Sequence, residues 1–254
     1  MMNGTSNHKK IKITSLFVMF LFAVQVNAQQ ISLYTIGDST MANKPNPEEN
    51  PERGWAQMLQ QFFNNDLLVK NKAVNGRSTR SFINENRWDS IYNELKPGDY
   101  VFIQFGHNDQ KIKDATRYTN PHTAYRHNLI KFVRETREKG ASPILLSSIV
   151  RRNFNEHGVL VDTHGEYPLE TRLVAGEMNV PFIDLQYMTE ILEESYGPEK
   201  SKELHLHYKP GEIAYYPNGK EDNTHLSVKG ATLIAKLAVD KLKKSNSPLA
   251  KYLK

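Results

Sequence analysis

The chain has 254 residues, 39% hydrophobic and 24% charged, which is the composition of one ordinary folded domain and excludes a disordered, collagen-like or coiled-coil chain. It contains no cysteine, which excludes a disulfide framework, a thiol nucleophile, a cysteine zinc site and an iron–sulfur cluster. The formal charge of +5 by itself points toward a polyanionic partner such as nucleic acid.

The first element along the chain changes that charge argument. His8, Lys9, Lys10 and Lys12 make a basic head, and residues 13–26 (ITSLFVMFLFAVQV) an apolar core of 14 residues. That core is shorter than the roughly 20 residues a membrane span needs. Val26-Asn27-Ala28 then fits a small-x-small cleavage site. Residues 1–28 are therefore expected to be an export signal. The mature chain, 29–254, is expected to be one domain, periplasmic or secreted, without a stable membrane anchor. A lipoprotein anchor needs a cysteine, and there is none. Removing the three lysines of the leader leaves 30 basic against 28 acidic residues, a charge of +2. The expectation of a nucleic-acid partner goes with them.

Next come five short apolar runs that read as buried strands: 31–36 (ISLYTI), 67–73, 100–105 (YVFIQF), 142–149 and 180–185. Helical spacing falls between them. Trp55, Met58, Leu59 and Phe62 recur at i, i+3, i+4 and i+7, as do Leu129, Phe132, Val133 and Thr136, with Gly140 as a stop. Further helices are expected over 169–178, 188–196 (ending before Gly197-Pro198) and 226–242. Strands alternating with helices predict an α/β fold, a flavodoxin-like doubly wound sheet of about five parallel strands with helices on both faces. Ligands of such sheets bind beyond the carboxyl ends of the strands. The stretches 44–53 and 204–222 read as loops, the second long enough to bind something.

Four motifs stand at those strand ends or before the last helix. Gly37-Asp38-Ser39-Thr40 places a serine where it can be exposed as a nucleophile, although a hydroxyl needs a base and the same tetrapeptide also suits a turn. Asn75-Gly76-Arg77 offers a glycine N–H with no Cβ in the way. Gly106-His107-Asn108-Asp109 offers an amide donor for a developing oxyanion. Asp222-Asn223-Thr224-His225 spaces a carboxylate and an imidazole so that one turn can aim both the same way. His205 and His207 would share one strand face as a metal pair, but no carboxylate stands at matching spacing, and a substrate-facing or exposed loop is expected instead.

Singly these motifs are weak; in this order they resemble the SGNH (GDSL-type) hydrolase superfamily. The runs 103–110 (IQFGHNDQ), Arg151-Arg152-Asn153-Phe154, Asp162-Thr163-His164-Gly165 and Asp222–His225 (DNTH) look like its rhamnogalacturonan acetylesterase branch, and the likeness spans nearly all of 29–254. The first block reads GDST rather than GDSL, with aspartate and serine kept. The resemblance implies a serine esterase that removes O-acetyl groups from pectic rhamnogalacturonan. Ser39 is then the nucleophile, His225 the base and Asp222 its orienting acid. The backbone N–H groups of Ser39 and Gly76 and the Asn108 amide form the oxyanion hole. That scheme requires no metal and no cofactor. Asp38 and His107 are expected to support loops rather than carry protons. Arg77, Arg80, Arg151 and Arg152, just past strand ends, are expected to meet the carboxylates of an acidic polysaccharide, as is Lys111. The alternatives are acetylated xylan or small acetylated sugars as substrate, or a carbohydrate-binding protein without catalysis.

Overall fold

In the computed structural model, which describes residues 30–254 together with Met1 and Gly4, five strands form one parallel sheet. The expected leader lies outside the described residues. In chain order the strands are β1 (Ile31–Gly37), β2 (Glu52–Arg53), β3 (Leu67–Asn71), β4 (Tyr100–Gln104), β5 (Ser142–Leu146), β6 (Phe182–Ile183), β7 (His205–Tyr208) and β8 (Lys220–Ser227). The parallel sheet runs β3-β1-β4-β5-β6, which is the flavodoxin order 2-1-3-4-5 when only its own strands are counted. Each of the five expected strands is present at its place, though several end sooner than the apolar run that announced them.

Alternation along these strands divides the core in two. Leu33, Phe102, Ile144, Leu146 and Ile183 point to one face. There they pack beneath α5 (Leu185–Lys200) and α6 (Val228–Lys243). Tyr34, Ile36, Val101, Ile103 and Leu145 point to the other. That face is covered by α1 (Thr79–Asn84), α2 (Arg87–Glu94), α3 (Arg126–Glu138) and α4 (Tyr167–Glu177). A sheet buried on both sides has no polar face, which is why its strands read as unbroken apolar runs.

Three differences from the sequence expectations have physical causes. Residues 55–62 form two 3₁₀ turns, Trp55–Met58 and Gln60–Phe62, rather than an α-helix. The glutamine side chains that would face solvent from a helix are engaged elsewhere: Gln57 accepts from Lys44 N–H, and Gln60 bonds the backbone of Leu67 and Val69. Helices α1 and α2 have no counterpart among the expected elements. Finally, the 204–222 stretch is loop, as expected, over 209–219, but its two ends are strands, in which β7 pairs with β8 and β8 with β2 in a small antiparallel sheet. Gly140, at φ +69°, follows α3 as expected. Helix α5 runs on past 196 but breaks its helical geometry at Gly197 (φ 71°). Among the described residues no helix is long and apolar enough to cross a membrane.

Candidate active site

The carboxyl ends of β1, β3 and β4 open onto a cavity of about 570 Å³. Ser39, Gly76, Asn108, Asp222 and His225 all line it, although they come from four separate stretches of chain. Ser39 Oγ lies 3.0 Å from His225 Nε2, and His225 Nδ1 lies 2.8 Å from Asp222 Oδ2.

The last pair owes its placement to an irregular strand. In the β7–β8 ladder Leu226 stands opposite His205, but the next pair joins Leu206 to Asp222, so residues 223–225 bulge out. Asp222 Oδ1 accepts from the N–H groups of Thr224 and His225, both at 2.9 Å, and holds the bulge as a turn. The sequence reading of one turn before the last helix is thus realised inside a strand. Burial opposes ionisation of Asp222, but the hydrogen bonds from the ring and backbone of His225 outweigh it and hold the carboxyl well below the usual carboxylate range. From behind, His205 Nδ1 donates to the His225 carbonyl (3.1 Å), and its Nε2 meets the Glu193 carboxylate at 2.7 Å. His207 Nε2 meets Asn223 Oδ1 at 2.8 Å. The two histidines therefore have separate partners and do not converge.

A buried polar chain supports the nucleophile loop. Trp55 Nε1 donates to Gln104 Oε1, Gln104 Nε2 to Thr40 Oγ1, and Thr40 Oγ1 to Asp38 Oδ1, at 2.8, 2.9 and 2.8 Å. Asp38 thus holds the loop, as expected, rather than orienting His225. Burial raises its pKa against the hydrogen bonds from Thr40. Lys44 completes the support: its ammonium donates to the Ser39 carbonyl (2.7 Å) and to Asn75 Oδ1 (2.8 Å), and pairs with Glu52 (2.8 Å).

The donor groups are also fixed. Gly76 has φ +75°, a conformation that suits glycine. Asn108 donates one amide hydrogen to the Arg77 carbonyl (3.2 Å) and accepts from Arg117 through Oδ1 (3.3 Å), so the amide orientation is set and its second N–H is left to the cavity. Its neighbour Asp109 is buried and accepts from Thr79 and Thr119, which ties this loop to the start of α1.

The expected basic residues part company. Arg151 and Lys111 line the cavity, whereas Arg77 pairs with Glu85 and lines an adjoining cleft with Arg117. Arg80 and Arg152 do not line the cavity. Arg152 is 8% exposed and braces the fold by donating to Ser201, Asn223 and the Pro198 carbonyl. Sequence reasoning missed Lys44, Glu52, Arg117 and Lys220. Lys44 and Glu52 sit in a Pro- and Glu-rich stretch that reads as solvated loop, and the other two lie outside the motifs.

This constellation can be compared with known proteins. The model of the GDSL-like Lipase/Acylhydrolase family matches residues 35–233. The chain belongs to the GDSL-like lipase/acylhydrolase family. Within it, the chain is 44% identical to rhamnogalacturonan acetylesterase RhgT of Bacillus subtilis (strain 168), over 88% of this chain and 94% of that one. It is 28% identical to a rhamnogalacturonan acetylesterase of Emericella nidulans, over 89% and 88%. Among solved structures, protein YxiM of Bacillus subtilis superposes with a TM-score of 0.71 at 28% identity. The match covers 85% of this chain but only 56% of that one. An acetylxylan esterase from Geobacillus stearothermophilus gives 0.56 at 19% identity, over 84% and 94%, which speaks for the fold alone.

Proposed function

We propose that this protein is a serine esterase that removes O-acetyl groups from rhamnogalacturonan, with Ser39, His225 and Asp222 as its catalytic residues. The observation that carries the reading is the line from Ser39 Oγ through the His225 ring to Asp222, at 3.0 and 2.8 Å. Ser39 Oγ attacks the acetyl carbonyl while His225 Nε2 takes its proton, and Asp222 stabilises the imidazolium. The oxyanion is received by the N–H groups of Ser39 and Gly76 and by the free N–H of Asn108. As the tetrahedral intermediate collapses, the C–O bond to the sugar breaks, and His225 returns the proton to the departing sugar oxygen. Water, deprotonated by His225, then attacks the acetyl-Ser39 ester and releases acetate and free serine.

The substrate assignment draws on the relatives and on charge. Lys111, Arg117, Arg151 and Lys220 line the cavity against Glu52 and Asp222. A polymer bearing uronic acid carboxylates suits that excess of cations better than a neutral chain. Replacing Ser39 with alanine should lower acetate release from acetylated rhamnogalacturonan by more than about 10³-fold. Equal rates would end the serine-esterase reading. Wild type should release acetate faster from rhamnogalacturonan than from acetylated homogalacturonan or xylan. Faster release from xylan would overturn the substrate and leave the mechanism standing. The reading extends to export: a mature protein recovered outside the cytoplasm should begin at Gln29, which N-terminal sequencing checks.

A further inference from the structure

Two buried residues behind His225 have no step in the esterase mechanism. His205 on β7 is 2% exposed and Glu193 on α5 is 3% exposed. His205 Nδ1 lies 3.1 Å from the carbonyl oxygen of His225, and its Nε2 lies 2.7 Å from Glu193 Oε1. The other carboxyl oxygen, Glu193 Oε2, is buried without a hydrogen-bond partner among the described residues.

The two partners decide where the hydrogens lie. A carbonyl oxygen only accepts, so His205 Nδ1 donates to it. A neutral ring then has no hydrogen left for Nε2, and a bare Nε2 would face the lone pairs of an ionised Glu193. The 2.7 Å contact therefore needs a hydrogen of its own, held on Nε2 as an imidazolium or on Glu193 as a carboxylic acid. In either form the ring is fixed at both ends, and the His225 carbonyl is tied through it to α5.

Stability alone is a poor account of this pair. Leu185, Thr189 and Glu193 are the buried residues of α5 and stand one turn apart, a row in which an apolar side chain is the ordinary occupant. Burying a carboxylate and an imidazole strips their hydration, and apolar side chains of similar volume commonly serve a fold as well or better. What an apolar pair lacks is a donor for the His225 carbonyl. The bulge that carries the base is otherwise tied near its start: Asn223 Oδ1 meets His207 and the Arg152 guanidinium, and the Asn223 carbonyl accepts from the Arg152 N–H. His205 holds its far end. We infer that His205 and Glu193 are positioning residues for the catalytic base, gripping its main chain from behind so that the His225 ring stays between Ser39 and Asp222. This inference rests on the esterase reading of the cavity.

Two double variants separate positioning from stability. E193M/H205L replaces the pair with apolar side chains and removes the donor. E193M/H205N sets an amide nitrogen where Nδ1 stood, which restores the donor but leaves the amide oxygen buried without a partner. Urea unfolding should find E193M/H205L close to wild type and E193M/H205N the less stable of the two. The rates should rank the other way. On p-nitrophenyl acetate kcat of E193M/H205L should fall about 10–10²-fold, the cost of misplacing a reacting group by about 1 Å, and E193M/H205N should recover most of that loss. The downfield proton NMR line of His225 Nδ1–H, bonded to Asp222, should shift in E193M/H205L and return in E193M/H205N; it reports on the base in folded molecules alone. Rates that follow stability across the three proteins, or a kcat and a line unchanged in E193M/H205L, would overturn the inference while the esterase stood. Wild type no faster than S39A would overturn both.

Discussion

The Lys44 ammonium lies beneath the nucleophile loop in a residue 4% exposed, and its three acceptors belong to three different stretches of chain. It holds the Ser39 carbonyl, the side chain of Asn75 next to Gly76, and Glu52 on β2. Two of the proposed oxyanion donors are the N–H groups of Ser39 and Gly76, so this cation helps to set the spacing between them, together with the Val74 N–H bond to the Gly37 carbonyl (3.1 Å). Lys44→Met keeps the apolar stem but leaves Glu52 without its counter-charge. Breaking a buried pair from one side costs about 3–5 kcal/mol, and the partial exposure of Glu52 places this case at or below the low end. Urea unfolding should register that loss. The rate should also fall, with kcat on p-nitrophenyl acetate dropping at least tenfold while KM changes little, because a misplaced donor weakens the transition state alone. Lys44→Met with Glu52→Gln should recover stability without recovering kcat. If kcat returns with stability, Lys44 only holds the fold together.

At the scale of elements, the loop after β3 turns on Gly76 at φ +75°. A Cβ there would find its nearest neighbour, an Arg117 guanidinium nitrogen, at 3.9 Å, so space is not the obstacle; the backbone conformation is. Gly76→Ala should cost about 1–2 kcal/mol of stability if the left-handed geometry persists. If the backbone relaxes instead, the N–H turns away and kcat should fall by up to the 10²–10³-fold typical of a lost oxyanion donor. Thermal melts and initial rates separate the two, and an alanine variant with wild-type stability and rate would remove Gly76 from the oxyanion hole. The same loop shows what a sequence can and cannot convey. The parallel strands were legible because burial on both faces leaves them continuously apolar, and the polar residues at their ends were legible because little else in such a sheet is polar. Helices α1 and α2 were not. They carry few buried apolar residues, and the cap at Ser78 pairs with Ser81 rather than with the glutamate or glutamine of the usual signature. Residues 55–62 have helical spacing, but two 3₁₀ turns bury the same side chains, so periodicity could not tell them apart. The bulge that aims His225 is invisible for another reason: register is set between β7 and β8, and neither strand encodes it alone.

At the scale of the whole molecule, buried titratable groups near the site make stability depend on pH, and they pull in opposite directions. His107 and His164 are driven toward the neutral form by burial, so their contribution is lost as pH falls below the ordinary histidine range. Asp109 works the other way. Burial pushes its carboxyl from 3.8 up to about 7, against hydrogen bonds from Thr79 and Thr119 that favour the ionised form. Between those two values the folded protein holds a proton that the unfolded chain has released. The stability contributed is therefore complete below about pH 4 and is lost as pH rises through about 7. In wild type the histidines mask this slope, so the comparison with Asp109→Asn is what exposes it. Asparagine cannot titrate, and it sets an amide hydrogen against donors from Thr79 and Thr119, so the variant is destabilised at every pH. The difference from wild type should nevertheless be larger at pH 5 than at pH 8, by more than about 1 kcal/mol, the worth of a single pKa unit. Urea unfolding of both proteins at the two pH values gives the four numbers required. An equal difference at both would mean that Asp109 stays ionised throughout, held by the threonine hydroxyls and the start of α1. The loop that carries His107 and Asn108 would then rest on a buried charge rather than on a shared proton.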